Sequence, residues 1–521
     1  RKGDWKAVRY RAIKNMDAPL ELYNLAEDPA ESQNRAAEFP EIVQSMERII
    51  REAHRTPSYE RFNVFGAKLS SALTEQFLYN EEPLVMTATS LRDAVGSFTL
   101  AQLPVPQPEV QVKLKAGTTP LTQRMWAIAL DDVERNIVTN ELGNYFAAGT
   151  RYTDRVYTRD IAFAGVLGAN QLYPEVMLDS LKLTRVRRLE LGYQVSRDHV
   201  ISEIDAPWEV IAESDKEIMA QYKTNSYTRR TDDVVWMWAV HDLFTLHPEI
   251  ADWPWFYENG QRFFTEFYAP WFDPSDGLYR GQPVYHDIGN SAYPENMTKT
   301  DCVLVKSSST NALYYRGMLA MAEAAEKCGR PKREQRAWLS RAEALKRAIQ
   351  KELTNEDGTL AYFKDRHGVL LTNRSILGTS LPVILGVVEG AAAQAAYADY
   401  PETDLGVPNF SPFIPGNKGP HNMAAWPFCM SFYFWGKEVA TGESFVAYNA
   451  ALLGRSLGTK MVPSPKKRTS DAEDWGEGLG SFHEKIVLPS GLIDGSGHQL
   501  WSAAAFLNVC LRAGIVDFNN Q

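Results

Sequence analysis

The sequence predicts a mainly α-helical protein whose larger part is an (α/α)6 toroid. From Leu121 onward, apolar residues recur at three- and four-residue spacing in long segments, which is the pattern of amphipathic helices. Two more segments, 421–440 and 497–514, are apolar on nearly every side, so we expect buried helices there. About 400 residues at roughly 33 per helix and loop accommodate about twelve alternating helices. A helical-repeat solenoid is the alternative, disfavoured because no repeat of constant length is present.

The individual helices follow from this periodicity. We expect amphipathic helices at 121–138, 174–191, 231–244, 310–329 and 333–353. Long connections between the helices carry most of the acidic and aromatic residues, and loops often carry function. These connections are 141–158, 222–231, 269–305, 404–420 and 458–497.

The first 118 residues differ from this helical part. Residues 1–62 are expected to form a small α+β unit, in which a strand near residues 3–12 precedes a turn-rich connection and an amphipathic helix at 41–54. Residues 63–118 are mixed in character, and the segment 103–120 is Pro-rich and then alternating, which predicts a linker with one or two short strands. The third predicted domain is the toroid, residues 119–521.

Composition narrows the possible partners. The formal net charge of −10 at pH 7 argues against nucleic-acid binding, which needs a basic face. No apolar run reaches the roughly 18 residues that a membrane-spanning helix requires. The four cysteines lie far apart without paired spacing. We therefore predict neither a disulfide framework nor a metal site, and no cofactor.

The most informative segment is 151–163, in which five of thirteen residues are charged and which leads directly into an apolar segment. Asp160 lies where this loop is expected to become a helix. One interpretation is that Arg159 and Asp160 form a helix-capping ion pair. The functional interpretation is that Asp160 is a general acid, held protonated by apolar neighbours, and that Arg159 contacts the substrate.

A second group of candidates lies in 229–238. Thr231 is a good N-cap with acidic residues in the following turn, so helix capping alone explains the pattern. The segment also suits a charged-sugar subsite. Trp236 and Trp238 cannot both face one side of a helix, and we expect at least one of them to be exposed. The candidate substrate-binding residues here are Arg230, Asp232, Asp233 and Trp236.

Two loops add further candidates. The segment 279–301 is long, aromatic and polar, which is typical of functional loops and also of surface excursions. In 417–428, a histidine and a tryptophan stand at the start of a buried helix. A neutral histidine there either binds a sugar hydroxyl or makes a structural hydrogen bond. The candidate substrate-binding residues of these loops are His286, Asp287, Glu295, His421 and Trp426.

The last group is the Gly-rich acidic segment 470–483, which precedes the final buried helix. It is either a solvated turn or the source of a catalytic base, and the alternative bases are Glu473, Asp474 and Glu477. Glycosidases that invert the anomeric centre place acid and base roughly 6.5–9.5 Å apart, so that a water fits between them. A toroid brings an early and a late loop to the same rim, where we also expect substrate contacts from Trp475 and His498.

The N-terminal unit resembles the C-terminal end of formylglycine-dependent sulfatases. The patterns that carry this resemblance are G-x-W-K-x-x-R, E-L-Y-N-L and D-P-x-E-x-x-N, all within residues 3–34. The sulfatase active-site pattern C-x-P-S-R is absent from the chain. The resemblance therefore implies a fusion in which a sulfatase domain precedes this part of the parent chain. Because the chain begins at Arg1 in a hydrophilic segment, we expect an excised piece of a bacterial protein that is secreted, periplasmic or at the cell surface.

Residues 120–515 resemble six-hairpin glycosidases of the α-L-rhamnosidase-like group. The family motif D-C-P-x-R-E-R-x-G-W-x-G-D has a partial counterpart in 154–165, where Asp160 stands at the position of the motif's Glu. The family patterns W-E-x-W and S-x-N-H have counterparts in 473–478 and 495–501. The resemblance implies a glycosidase fold in which these two places supply the acid and the base.

The leading functional hypothesis is an inverting exo-α-L-rhamnosidase that acts on a sulfated or uronate-containing polysaccharide such as ulvan. A toroidal polysaccharide lyase is the second hypothesis, for which the candidate groups are His286, His421, Tyr293 and Arg159. A non-catalytic carbohydrate-binding toroid that positions the sulfatase is the third. In each case the expected partner is an oligo- or polysaccharide.

Overall fold

The computed structural model describes residues 1–10, 19–52, 85–86, 98–99, 106–141, 143–149, 152, 156–190, 211–222, 227, 232–286, 292–403, 405–415, 417, 421–457, 480–488 and 492–518. Within them the α-helices are α1 Pro40–Glu52, α2 Pro120–Glu134, α3 Thr158–Ala164, α4 Pro174–Glu190, α5 Lys216–Ala220, α6 Asp232–Leu246, α7 Trp253–Arg262, α8 Lys299–Val303, α9 Ser308–Lys327, α10 Lys332–Glu352, α11 Ile376–Ile384, α12 Gly390–Ala398, α13 Pro427–Thr441, α14 Val446–Gly454 and α15 Leu500–Arg512. α3 continues through a π-helical turn, Gly165–Ala169, into Asn170–Leu172. The chain is mainly helical, as predicted.

The strands are short and connect or brace the helices. They are β1 Trp5–Val8, β2 Glu21–Asn24, β3 Val85–Met86, β4 Phe98–Thr99, β5 Lys113–Leu114, β6 Ile137–Asn140, β7 Gly143–Phe146, β8 Phe272–Asp273, β9 Leu278–Tyr279, β10 Lys306–Ser307, β11 Phe363–Lys364, β12 Leu370–Leu371, β13 Arg374–Ser375, β14 Phe410–Ser411, β15 Ala424–Ala425, β16 Lys485–Val487, β17 Leu492–Asp494 and β18 Val516–Asp517. β15, β16 and β17 form an antiparallel three-stranded sheet. In the chain, β15 directly precedes α13, and β17 precedes α15.

The strand and the helix predicted in the N-terminal unit are both present. β1 and β2 pair antiparallel, with Trp5 opposite Asn24. The Oδ1 atom of Asn34 accepts a hydrogen bond from the N–H of Leu22 at 3.0 Å, so the last residue of the third sequence pattern fixes the chain after β2. α1 closes the unit over a small core that is formed by Leu20, Leu22 and Met46.

Six of the described helices contact one another in a closed order, from α3 through α6, α9, α11, α13 and α15 back to α3. The other long helices after the linker cover this ring from outside. α2 and α14 pack on α15, α4 packs on α3 and α6, α7 and α10 pack on α9, and α12 packs on α13. None of the helices in the described part of the chain is both long enough and apolar enough to cross a membrane.

The two tryptophans of α6 are both buried, so the expectation that one of them is exposed was wrong. The ring of Trp236 lies 5.6 Å from that of Phe263, between centroids. Trp238 faces the other way, and its ring lies 5.8 Å from that of Phe432 in α13. Because α6 belongs to the ring, helices cover both of its faces, and a helix in that position is apolar all round.

The helix predicted at 121–138 ends earlier than expected. α2 stops at Glu134, and Ile137–Asn140 forms β6, which pairs with β7. Three consecutive β-branched residues in β6 favour a strand over a helix. The Nδ2 group of Asn136 donates to the backbone oxygen of Asp132 at 2.7 Å, a local bond that competes with helix continuation.

The last part of the predicted linker is attached to the helical part. β5 pairs with β18 near the C-terminus, with Leu114 opposite Val516. The indole N–H of Trp126 in α2 donates to the backbone oxygen of Val112 at 2.8 Å. β5 lies within the alternating segment 103–120, and two further short strands, β3 and β4, pair with each other earlier in 63–118.

A buried polar cluster lies toward the C-terminal end of α6. The Nε2 atom of His241 is 2.8 Å from Oε2 of Glu323, and Arg316 donates to Nδ1 of His241 at 2.8 Å. His241 is therefore neutral, with its proton on Nε2. Burial and the charge of Arg316 lower the pKa of His241 to about 4. Burial raises the pKa of the adjacent Asp242 to about 6.

These two shifts oppose each other as pH changes. The contribution of His241 to stability is present above its unfolded pKa and is lost as pH falls through about 4, because protonation opposes folding. The contribution of Asp242 is present below its unfolded pKa and is lost as pH rises through about 6. In Asp242→Asn we expect the free energy of unfolding to fall between pH 6.5 and 4 by on the order of 2 kcal/mol more than in the wild type.

Urea unfolding at a series of pH values measures this difference. His241→Gln is the matched control, because it removes the opposite contribution and is expected to gain stability, relative to the wild type, over the same acidification. Parallel pH profiles for the wild type and both variants would show that the cluster does not titrate in this range.

Candidate functional site

The N-terminal ends of four ring helices lie close together, and we call this end of the ring the mouth. The Nη1 atom of Arg159, near the start of α3, is 4.0 Å from Oδ1 of Asp232 at the start of α6. In the second turn of α3, the ring of Phe163 lies 5.4 Å from that of Phe428 at the start of α13. Phe428 in turn stacks on Trp501, in the first turn of α15, at 4.0 Å. Converging helix N-termini favour anionic groups there.

Asp160 lies at the mouth, in the first turn of α3. It is only 5% exposed, and the next residue, Ile161, is fully buried. Its Oδ2 atom is 3.8 Å from Nε of Arg159. Burial favours the protonated form of a carboxyl group, which is the form that a general acid needs, whereas the guanidinium of Arg159 and the start of α3 favour the ionised form.

Asp233, by contrast, belongs to the core. It is fully buried, and its Oδ1 atom lies 2.8 Å from Nη1 of Arg185 in α4. The guanidinium of Arg185 lies 4.7 Å from the ring centroid of Trp236, whose indole N–H donates to the backbone oxygen of Leu181 at 3.0 Å. A buried ion pair under an aromatic ring explains this part of the motif, and the proposed site does not include Asp233 or Trp236.

Aromatic side chains border the mouth beside α13 and α15. The rings of His421 and Trp426, two of the predicted candidates, stack at 5.1 Å. Tyr285 lies 4.9 Å from His421 and 5.0 Å from Trp426, and Trp501 lies 5.9 Å from Trp426. We call these four residues the aromatic wall.

The backbone of the aromatic wall is strained at Tyr285, where φ is +73°. A bulky side chain rarely adopts this left-handed conformation, and such strain clusters at active sites. The next residue, His286, is also a predicted candidate. Its Nδ1 atom is 2.6 Å from Oη of Tyr362, and its ring lies 5.6 Å from that of His421. The structure therefore brings His286, His421 and Trp426 together.

Glu484 is a buried carboxylate that the sequence analysis did not select. It immediately precedes β16 and is 9% exposed. Its Oε2 atom accepts a hydrogen bond from the N–H of Ser496 at 3.1 Å. Burial, followed by the charges of Cys429 and Glu484 among other groups, raises the pKa of Tyr285 well above its usual value. Lys485, the residue after Glu484, lies against the aromatic wall, with its Nζ atom 5.4 Å from the ring centroid of Trp426. In the sequence Glu484 stands between His483 and Lys485, just before a short strand, and no periodic pattern singles it out.

The remaining predicted residues lie apart from this group or outside the described residues. Glu295 is exposed in the segment 292–300. His498 is buried against Asp132 of α2, with 2.6 Å between Nδ1 and Oδ1. Predicted candidates outside the described residues are Arg230, Asp287, Glu473, Asp474, Trp475 and Glu477.

No protein-family model and no curated protein sequence matches the chain. Similar solved structures include a GH78 family rhamnosidase of Bacillus sp. GL1, which is 13% identical over 77% of this chain and 35% of that chain, with a TM-score of 0.48. A GH63 mannosylglycerate hydrolase from Thermus thermophilus is 17% identical over 74% of this chain and 100% of that chain, also with a TM-score of 0.48. The chain spans about a third of the length of the rhamnosidase. Because both TM-scores are below 0.5, these likenesses carry no argument about activity.

Proposed function

We propose that the protein is a glycoside hydrolase built on an (α/α)6 toroid, with its active site at the mouth. The observation that carries this proposal is the placement of Asp160, a nearly buried carboxyl group among converging helix N-termini. In the proposed mechanism Asp160 is the general acid, which gives its proton to the oxygen of the leaving sugar. The aromatic wall, although buried, is an aromatic cluster of the kind that packs against the apolar sides of sugars. The counterpart of the rhamnosidase motif at 154–165 supports the same role for Asp160.

Hydrolysis also needs an ionised carboxylate that activates water. We assign this role to Glu484, because the hydrogen bond from the N–H of Ser496 favours its charged form. The sequence analysis placed the base in the loop that carries Glu473, Asp474 and Glu477. That assignment stays the alternative proposal, and variants of the four acids separate the two.

The proposed substrate is a sulfated or uronate-containing polysaccharide such as ulvan, from which an inverting exo-enzyme releases terminal α-L-rhamnose. One observation supports an anionic substrate, namely the convergence of helix N-termini at the mouth. Fusion to an N-terminal sulfatase domain and a location outside the bacterial cytoplasm fit such a substrate and remain part of the proposal.

A toroidal polysaccharide lyase stays the alternative, with His286, His421 or Tyr293 as the base and Arg159 as the group that neutralises the uronate. The test is incubation with ulvan oligosaccharides. Release of reducing sugar without ultraviolet absorbance supports hydrolysis, and absorbance of an unsaturated product identifies a lyase. Tight binding without any turnover identifies a carbohydrate-binding domain.

Glu484→Gln is expected to lower kcat by about 10²- to 10⁴-fold, because the amide cannot accept a proton from the attacking water. KM is expected to change little. The matched variants are Glu473→Gln, Asp474→Asn and Glu477→Gln, each measured on the same oligosaccharide. If one of these three loses turnover and Glu484→Gln keeps it, the base is in the loop.

A further inference from the structure

Asp132 is a buried carboxylate on α2, a helix outside the ring. It is 1% exposed, and each of its oxygens makes a short hydrogen bond. Oδ1 lies 2.6 Å from Nδ1 of His498, and Oδ2 accepts from the N–H of Phe482, also at 2.6 Å. Burial raises the pKa of Asp132, while His498 and the N–H of Phe482 favour its ionised form. When it is ionised, the carboxylate can only accept, so the contact then places a proton on Nδ1 of His498.

These two bonds tie Asp132 to the two segments that meet at Glu484. The N–H of Gln499 donates to the backbone oxygen of Phe482 at 2.9 Å, and the N–H of Glu484 donates to that of Ser496 at 3.0 Å. The two segments therefore run antiparallel, with Asp132 bound to both near one end. Glu484 follows the anchored amide by two residues.

His498, the other anchored residue, has a strained backbone with φ of +42°. Its carbonyl oxygen accepts from Nδ2 of Asn136 at 2.6 Å, and its N–H donates to Oγ of Ser481 at 3.1 Å. A non-glycine residue keeps such a conformation only where the surrounding structure holds it. Together with Asp132, these bonds fix both the backbone and the ring of His498.

Asp131 adds a third possible ligand to this group, since ligand atoms of Asp131, Asp132 and His498 lie within 4.8 Å of one another. Both oxygens of Asp132 are already engaged by the chain. Oδ2 of Asp131 lies 2.6 Å from Nε of Arg135, the residue that directly follows α2. The contacts of Asp132 are therefore those of a hydrogen-bonded anchor.

We propose that Asp132 is a positioning residue that fixes the tautomer of His498 and holds the segment that carries Glu484 in place. This inference rests on the proposed function, in which Glu484 is the base. Its physical reason is that a displacement of about 1 Å at a catalytic group can cost about 100-fold in rate. Asp132 thus acts on the mouth from outside the ring, through Phe482 and His498.

Asp132→Asn tests the proposal, because it keeps the size of the side chain and removes its charge. We expect kcat to fall about 10- to 100-fold with little change in KM, measured on protein shown to be folded by its melting temperature. Asp131→Asn is the matched control on the neighbouring position, and it is expected to keep wild-type kcat. Wild-type kcat in Asp132→Asn would overturn the proposal.

A double-mutant cycle separates positioning from a general loss of structure. If Asp132 acts through Glu484, then Asp132→Asn lowers kcat no further in the Glu484→Gln background. Equal and independent losses in both backgrounds would show that Asp132 does not act through the base.

The tautomer of His498 gives a readout that does not depend on turnover. In ¹⁵N-histidine NMR spectra, with the His498 signal identified by its loss in His498→Gln, we expect a proton on Nδ1 in the wild type and a mixture of tautomers in Asp132→Asn. Identical His498 tautomers in both proteins would overturn the anchor. If the wild type has the expected tautomer and hydrolyses no glycoside, then the proposed function fails and the anchor stands.

Discussion

Asp160→Asn is expected to lower kcat on a natural oligosaccharide by about 10²- to 10⁴-fold while leaving the fold intact. Asparagine has nearly the same shape and cannot deliver a proton to the leaving oxygen. Arg159 is expected to stay in place, because its Nε atom lies 3.8 Å from Oδ2 of Asp160, which is beyond hydrogen-bond distance. KM is expected to change less than kcat, since the aromatic wall is untouched.

The identity of the leaving group makes this prediction specific to a general acid. A phenol with a low pKa leaves without protonation, so the loss in Asp160→Asn should shrink on aryl glycosides whose leaving groups are increasingly acidic. A group that only binds the substrate would lower the rate equally for all of them.

The control for this experiment is Asp179→Asn, which changes an exposed carboxylate on the adjacent helix α4. Its kcat is expected to equal that of the wild type on every substrate. Wild-type turnover in Asp160→Asn, measured beside this control, would remove Asp160 from the mechanism.

Arg185→Met is expected to lower the free energy of unfolding by about 3–5 kcal/mol. Arg185 and Asp233 are both buried, and 2.8 Å separates Nη1 from Oδ1. Removal of the cation leaves the Asp233 carboxylate in the core without its charged partner, and the ring of Trp236 loses the guanidinium that lies against it. Urea unfolding followed by fluorescence and circular dichroism measures the change.

The double variant Arg185→Met/Asp233→Leu shows whether an unpaired charge causes the loss. Replacement of both members of a buried pair by apolar residues is often close to neutral, so most of the stability should return. If each single variant keeps wild-type stability and loses substrate affinity, then Asp233 and Arg185 belong to a binding site, as the sequence pattern first indicated for Asp233.

The sequence predicted the helical part well, because helix periodicity is a local property. α9 and α10 lie where three- and four-residue spacing placed them, and the all-apolar segments became α13 and α15. The same local logic placed Asp160 at the start of a helix, and the structure has it in the first turn of α3. Charge that precedes a buried helix was sufficient to find this residue.

Other features depend on contacts between distant residues, and periodicity does not report those. A tryptophan beside charged residues, as Trp236 is in the sequence, is typical of a sugar-stacking position. Only the contact with Arg185 of α4 shows that Trp236 belongs to the core. Glu484 was missed because the residues that interact with it, Ser496 and Tyr285, are distant from it in the sequence. The acids around Trp475, by contrast, form a conspicuous cluster within a few residues of one another.

The most direct test of the central claim is proton NMR of the first product that the wild-type protein releases from a rhamnose-terminated ulvan oligosaccharide. If Asp160 donates a proton while Glu484 activates a water on the opposite face, the first signal is a free sugar with inverted anomeric configuration, before mutarotation, and it is absent in Asp160→Asn. A first product with retained configuration, or an unsaturated sugar, would contradict this account.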